Sequence, residues 1–277
     1  MEVHNQKLEI ALSPCPNDVF IVSGILLKKF EMPFDFDFRF EDIETLNNLA
    51  IKGLFPVIKA SFAIWNFIYS EYELLPVGSA LGFGVGPLLV GKKPYPVEDF
   101  KKLKIAIPGE HTTAHFLFNF FYKKKIEKIF VSYDRIIPLL LENKVDMGIL
   151  IHEGRFVYSK YNFYKIVDLG EHWERVTGAP LPLGGFFIKK NLSQNTKNTI
   201  AKLFRKSINW AKDNWDEVFP LLKAYAQELN QDTIKKHVDT YVNKYTYELK
   251  GPALKGLTIF KEFLNIKRSL EDLVWSI

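Results

Sequence analysis

Residues 34–40 read Phe-Asp-Phe-Asp-Phe-Arg-Phe, an unbroken alternation of aromatic and charged side chains. A helix would scatter the four rings around its circumference, whereas a strand puts them all on one face, so the segment predicts a half-buried β-strand. Such a strand needs a sheet to join and a layer to cover its aromatic face. The neighbouring sequence offers both. Leu8 to Leu12 predicts a strand, followed by the proline-rich turn Ser13-Pro14-Cys15-Pro16-Asn17-Asp18. A helix from about Val19 to Phe30 comes next, with Asn17 or Asp18 as its N-cap. A short helix from Ile43 to Lys52 stops at Gly53, Val57 to Ala60 predicts another strand, and Ser61 stands where a helix through Tyr69 begins.

The middle of the chain repeats this arrangement. Leu103 to Ile107 predicts a strand, Pro108 to His111 a turn, and Thr112 or Thr113 the cap of an aromatic helix ending near Lys125. Asp134 caps a further helix through Asn143. Asp146 to Ile151 is a buried strand, with His152-Glu153-Gly154-Arg155 at its C-terminal end. From Ser193 the pattern turns mostly helical, around residues 200–214, 218–228 and 254–264. Strand–helix alternation of this kind predicts an α/β fold with mainly parallel sheets and helices on both faces. With 277 residues, two lobes are expected. Residues 78–91 and 182–188 suit two crossings between them. Lobe I then comprises 1–90 plus 189–277 and lobe II 91–188, with a hinge and a ligand cleft where the strands of both sheets end.

Composition excludes several classes. Hydrophobic residues at 47% and charged residues at 25% are those of a folded globular chain. The net charge of +5 is carried by scattered lysine pairs and the triplet Lys123–Lys125, with no nucleic-acid-binding signature, so no nucleic-acid partner is expected. A mild positive field suits a small anionic ligand instead. The uncharged run from Leu74 to Gly91 is long enough to span a membrane, but two prolines and five glycines between 74 and 91 favour a strand–loop–strand, so no membrane partner is expected either. One cysteine allows no internal disulfide, and the first seven residues carry no apolar signal core, which together predict a cytoplasmic location. The oligomeric state stays open.

Four strand-end segments converge on the expected cleft: 13–18, 59–61, 109–113 and 152–155. Three open helices, where free N–H groups and the helix dipole favour anions, and Ser61, Thr112 and Thr113 add hydroxyls. Each hydroxyl can equally be no more than the cap of its own helix. His152, directly after a buried strand, suits proton transfer near neutral pH or else a backbone hydrogen bond. His111 and His115 have a metal-compatible spacing without a third ligand, and capping or packing accounts for them better. Cys15 precedes a helix, a place that lowers a thiol pKa, but between two prolines it reads as structural. Gly82-Phe83-Gly84-Val85-Gly86 lacks the spacing of a nucleotide loop and reads as a hinge or close-packed strand.

Taken together, Ser13-Pro14-Cys15-Pro16-Asn17-Asp18, Gly109-Glu110-His111-Thr112-Thr113-Ala114-His115, Ile151-His152-Glu153-Gly154-Arg155 and Pro180-Leu181-Pro182-Leu183-Gly184-Gly185 resemble the 1,4-dihydroxy-6-naphthoate synthases of the futalosine route to menaquinone. The resemblance implies a fold similar to the type II periplasmic binding proteins. It implies a lyase that converts cyclic dehypoxanthinyl futalosine to 1,4-dihydroxy-6-naphthoate and dihydroxyacetone, with no metal or organic cofactor. His152 stands at the position of the family's base, and the substrate-contacting positions fall on Lys59, Ala60, Ser61, Thr112 and Thr113. Val19 and Ala60 depart from the family's more usual Thr and Val. The alternatives are the related chorismate dehydratases, or a non-catalytic solute-binding protein.

Overall fold

In the computed structural model, residues 6–226 and 230–276 are described. Along the chain, β1 (Gln6–Leu12), β2 (Phe34–Phe40), β3 (Val57–Ser61), β4 (Tyr72–Leu74) and β5 (Ala80–Gly82) build a first sheet. A second sheet follows from β6 (Leu88–Gly91), β7 (Lys104–Ile107), β8 (Glu127–Phe130), β9 (Met147–Leu150) and β10 (Tyr164–Asp168). The long β11 (Leu181–Lys189) returns to the first. The orders are β2-β1-β3-β11-β4, with β5 also on β11, and β10-β6-β9-β7-β8. The fold is thus α/β and two-lobed.

β2 matches the expected strand residue for residue. It pairs in parallel with β1 from Gln6↔Phe34 to Leu12↔Phe40, with Asp35 and Asp37 exposed and the phenylalanines turned inward. The expectation of mainly parallel sheets does not hold. β1 runs parallel to β2 and β3, and β7 to β8 and β9, but β11 is antiparallel to β3, β4 and β5, and β6 to β9 and β10. The strands that run against their neighbours are those through which the chain enters or re-enters a sheet. They arrive from the other lobe, so no βαβ crossover fixes their direction. By sheet membership the chain has left the first lobe by Leu88 and is back in it at Leu181, before the expected return at 182–188.

The first helix, Pro16–Leu26, starts three residues earlier than expected, with Cys15 and not Asn17 or Asp18 at its N-cap. Pro16 explains the shift: its fixed φ and missing N–H suit the first helical position. Asn17 and Asp18 therefore lie inside the first turn, buried. The helix ends at Leu26 and not Phe30, with Lys28 in the left-handed region. Helices Ile43–Ile51 and Thr113–Phe121 realise two other expected ones, the second stopping short of Lys125 so that Glu127–Phe130 can pair with β7. The helix expected from Asp134 is Ile136–Leu141, with Arg135 and not Asp134 at its N-cap, and the one expected from Ser61 to Tyr69 is a 3₁₀ turn Phe62–Ile64 followed by helix Trp65–Ile68. The C-terminal part forms helices Gln194–Asp213, Trp215–Tyr225, Gln231–Tyr241 and Pro252–Phe263. The expected end of the second of these, near residue 228, lies outside the described residues.

Helix Gln194–Asp213 packs on helix Pro16–Leu26, where the Gly24 N–H donates to Ser207 Oγ at 2.9 Å. Helix Pro252–Phe263 reaches across to helix Leu169–Thr177 through Phe260 on Trp173, 5.4 Å apart. One apolar cluster therefore runs from Phe62 and Phe187 of the first lobe to Phe118 and Ile105 of the second. The uncharged run 74–91 is the end of β4, β5, β6 and the loops between them, and no helix among the described residues is long and apolar enough to cross a membrane.

Candidate functional site

A cavity of about 90 Å³ opens between the lobes, lined among others by Asn17, Asp18, Lys59, Ser61, Thr112, Thr113, His152 and Tyr241. All four expected strand-end segments contribute to its walls or to the groups behind them.

Strand periodicity decides the 59–61 segment. Lys59 and Ser61 face the cavity, whereas the Ala60 side chain points the other way into the core, so any contact Ala60 makes with a ligand is through its backbone. Lys59 is not a free cation. Its Nζ donates to Asp18 Oδ1 at 2.6 Å and to the Gly78 carbonyl at 3.0 Å, with both side chains of the pair 4% exposed. Burial pushes the Asp18 carboxyl up, and Lys59 pulls it back only in part. Asp18 Oδ1 also accepts from Asn17 Nδ2 (2.8 Å), and Asn17 Oδ1 faces His237 Nε2 at 2.8 Å. Because an amide oxygen only accepts, the His237 proton sits on Nε2. Its Nδ1 is left without a partner among the described residues. Burial, with the positive charge of Arg155, holds His237 well below the ordinary imidazole range, so it is neutral.

His152 follows β9 with φ of 52°, a left-handed conformation uncommon for a residue with a side chain. Its ring lies edge-on to Tyr133 (4.9 Å) and nearly parallel to His237 (6.1 Å, 15°). Cys15 Sγ is 3.2 Å from His152 Nδ1. Burial, with the positive charge of Lys59, pushes the His152 pKa down to about 4. It is thus a neutral base across the physiological range, and a weaker one than an ordinary imidazole. The histidine that a reactive Cys15 would need is indeed supplied by the other lobe. Burial, with the Glu153 and Asp18 carboxylates, nevertheless pushes the thiol well above its ordinary value and overrides the helix N-terminus. The pair is a neutral thiol beside a neutral imidazole.

In the neighbouring loop after β7, Thr112 caps helix Thr113–Phe121: its Oγ1 accepts from the His115 N–H and donates to the Gly109 carbonyl. Thr113 Oγ1 donates to the Leu183 carbonyl at 2.7 Å and accepts from the Ala63 N–H at 3.3 Å. Both hydroxyls are thus committed within the protein, and what this part of the cavity offers an anion is the first turn of backbone N–H groups. Ser61 Oγ accepts from Asn47 Nδ2 at 3.0 Å. His111 pairs with Glu44 through Nδ1 (2.8 Å) and its backbone N–H (2.9 Å). His115 Nδ1 bonds the Glu110 carbonyl, and burial lowers its pKa. Among the described residues no group of three or more His, Cys, Asp or Glu side chains that could hold a metal ion forms.

Sequence reasoning missed Asn47, His237 and Tyr241, and it saw Arg155 only as part of a motif. Arg155 Nη1 donates to the Gly84 carbonyl, and its guanidinium lies 3.6 Å from Asp168 and bonds Tyr241. A polar residue on the apolar stripe of a helix was the available signal: Asn47 between Leu46 and Ala50, and His237 between Ile234 and Val238. In the loop at 82–86, Gly86 lies against Gly170 with no room for a side chain, whereas Phe83 is exposed and a Cβ at Gly84 would meet nothing within 4 Å.

Residues 8–265 match the model of a family described as menaquinone biosynthesis. A 1,4-dihydroxy-6-naphthoate synthase of Thermus thermophilus is 38% identical over 244 residues, which cover 88% of this chain and 89% of that protein. Protein AF1704 of Archaeoglobus fulgidus, known from a crystal structure, superposes with a TM-score of 0.87 at 30% identity, covering 96% of this chain and 99% of that one. The periplasmic aliphatic sulphonate binding protein SsuA of Escherichia coli aligns with a TM-score of 0.65 at 12% identity over 98% of this chain and 92% of its own, a likeness of fold alone.

Proposed function

Because the chain belongs to the menaquinone biosynthesis family, we propose that it is an enzyme converting cyclic dehypoxanthinyl futalosine to 1,4-dihydroxy-6-naphthoate and dihydroxyacetone, a carbon–carbon lyase reaction. The observation that supports the mechanism is a neutral His152 lining the same cavity as Ser61 and the N-terminus of helix Thr113–Phe121. The carboxylate of the substrate sits at that N-terminus and at Ser61, where N–H groups and a hydroxyl donate to it. Its ring then lies toward His152.

His152 removes a carbon-bound proton next to a carbonyl. The electron pair left behind breaks the bond to the three-carbon fragment and makes the ring aromatic, and the proton held on the imidazole is returned as the fragment leaves as dihydroxyacetone. Lys59, paired with Asp18, does not neutralise the substrate; it keeps the wall beneath His152 polar and fixed. Closure of the lobes excludes water from the reacting centre.

Purified protein incubated with the cyclic futalosine compound should yield the naphthoate and dihydroxyacetone in equal amounts by mass spectrometry. Dehydration of chorismate without naphthoate would move the assignment to the neighbouring enzyme. Binding of either compound with no turnover would make the protein a solute-binding one.

A further inference from the structure

Asn47 is wholly buried on helix Ile43–Ile51, and every polar atom of its side chain is engaged. Its Oδ1 accepts from the Ser61 backbone N–H at 2.8 Å. Its Nδ2 donates to Ser61 Oγ at 3.0 Å and to the His111 carbonyl at 3.1 Å. The first two bonds lie within the first lobe. The third crosses to the second, because His111 stands in the turn after β7.

A serine hydroxyl has one proton and two lone pairs. With one lone pair taken by Asn47 Nδ2, and no other partner for Oγ among the described residues, the Ser61 proton has nowhere to go but the cavity that Ser61 lines. A carboxylate cannot accept from a hydroxyl whose proton points away from it, so the direction of this one O–H decides whether Ser61 attracts or repels an anion. We infer that Asn47 is a positioning residue that turns the Ser61 hydroxyl into an obligatory donor and makes the site specific for a carboxylate. Its second N–H ties that orientation to the closed arrangement of the lobes through the His111 carbonyl. The inference rests on the functional reading above, in which Ser61 holds the carboxylate.

A buried asparagine can also be a mere filler that holds β3 to its neighbouring helix, and the two roles separate in a double-mutant cycle. The readout is the affinity for 1,4-dihydroxy-6-naphthoate, followed by its fluorescence, with thermal stability recorded beside it. Ser61→Ala should weaken binding by about tenfold to a hundredfold, the range of one hydrogen bond to a charged group. Asn47→Ala should weaken it by a similar factor in the natural background and by less than about threefold in the Ser61→Ala background, because there is no longer a hydroxyl to orient. Asn47→Asp keeps the volume but removes the donor, and it completes the same cycle if the alanine variant does not fold. Losses that multiply across the two sites would overturn the inference while leaving the functional reading intact. A natural protein that fails to bind the naphthoate would overturn the functional reading and this inference with it.

Discussion

Lys59→Met tests whether the polar wall beneath His152 is held together by the Asp18–Lys59 pair. The substitution keeps the length of the side chain and removes its charge. It leaves the Asp18 carboxylate, 4% exposed, with only the neutral Asn17 and Ser13 side chains, and the Gly78 carbonyl without its donor. Breaking a buried ion pair from one side costs about 3–5 kcal/mol. An independent bound agrees: if Asp18 escapes by taking a proton, holding it neutral at pH 7 costs at most about 4 kcal/mol, which is 1.36 kcal/mol per unit between its ordinary pKa and the solution pH. The sign with pH follows from that escape. The folded variant binds a proton that its unfolded chain releases above the ordinary carboxylate range, so its deficit against the natural protein should grow as pH rises from about 5 to 7. Asp18→Asn/Lys59→Met, which removes both charges, should recover more than half of the loss. Urea unfolding followed by tryptophan fluorescence at both pH values reads all three chains. A single-variant loss below about 1 kcal/mol, or a double variant no more stable than the single, would refute the claim that the pair holds this wall.

Acid should destabilise the natural protein through His152. His152 is neutral when folded, with a pKa near 4, and ordinary when unfolded, so stability falls as pH drops from about 6.5 toward 4, by up to about 3 kcal/mol for this residue. His152→Asn should remove that share of the slope in melting temperature, and an unchanged slope would contradict it. The acid limb of kcat/KM should likewise lie well below pH 6.5. Cys15→Ala should keep turnover within about tenfold, because a neutral thiol is no nucleophile; a loss beyond about a hundredfold with the fold intact would restore that role. Gly86→Ala would bring a methyl to 2.2 Å from the Gly170 Cα, backbone against backbone, and should cost about 3 kcal/mol or more in the same unfolding assay.

What the sequence made legible was local. Phe34–Phe40 alternates because one face is buried, and Thr112 or Thr113 before an aromatic run reads as a cap because orphan N–H groups need one. Strand direction was not legible. β6 and β11 carry the same apolar composition as parallel strands and run antiparallel only because of where the chain comes from. The helix start at Pro16 was misread because Asn17 and Asp18 are also good caps, and only tertiary partners, Lys59 and His237, show why they lie inside the turn. Cys15 meets His152 across 137 positions of sequence, a juxtaposition no spacing rule reveals. Asn47 and His237 are polar interruptions of apolar stripes, a pattern that marks a buried hydrogen-bonded residue without saying what it holds.

The central claim is that His152 takes the proton while Ser61 and the N-terminus of helix Thr113–Phe121 only hold the carboxylate. The most direct measurement compares turnover of the cyclic futalosine compound and affinity for the naphthoate in the natural protein and in His152→Asn. Asparagine keeps polarity and approximate size but cannot accept the proton. The account predicts a fall in turnover of about a hundredfold to ten-thousandfold with product affinity changed by less than about threefold. Near-normal turnover in His152→Asn would contradict it. So would a loss of turnover matched by an equal loss of product affinity, which would make His152 a binding residue and leave the base to be found elsewhere in the cavity.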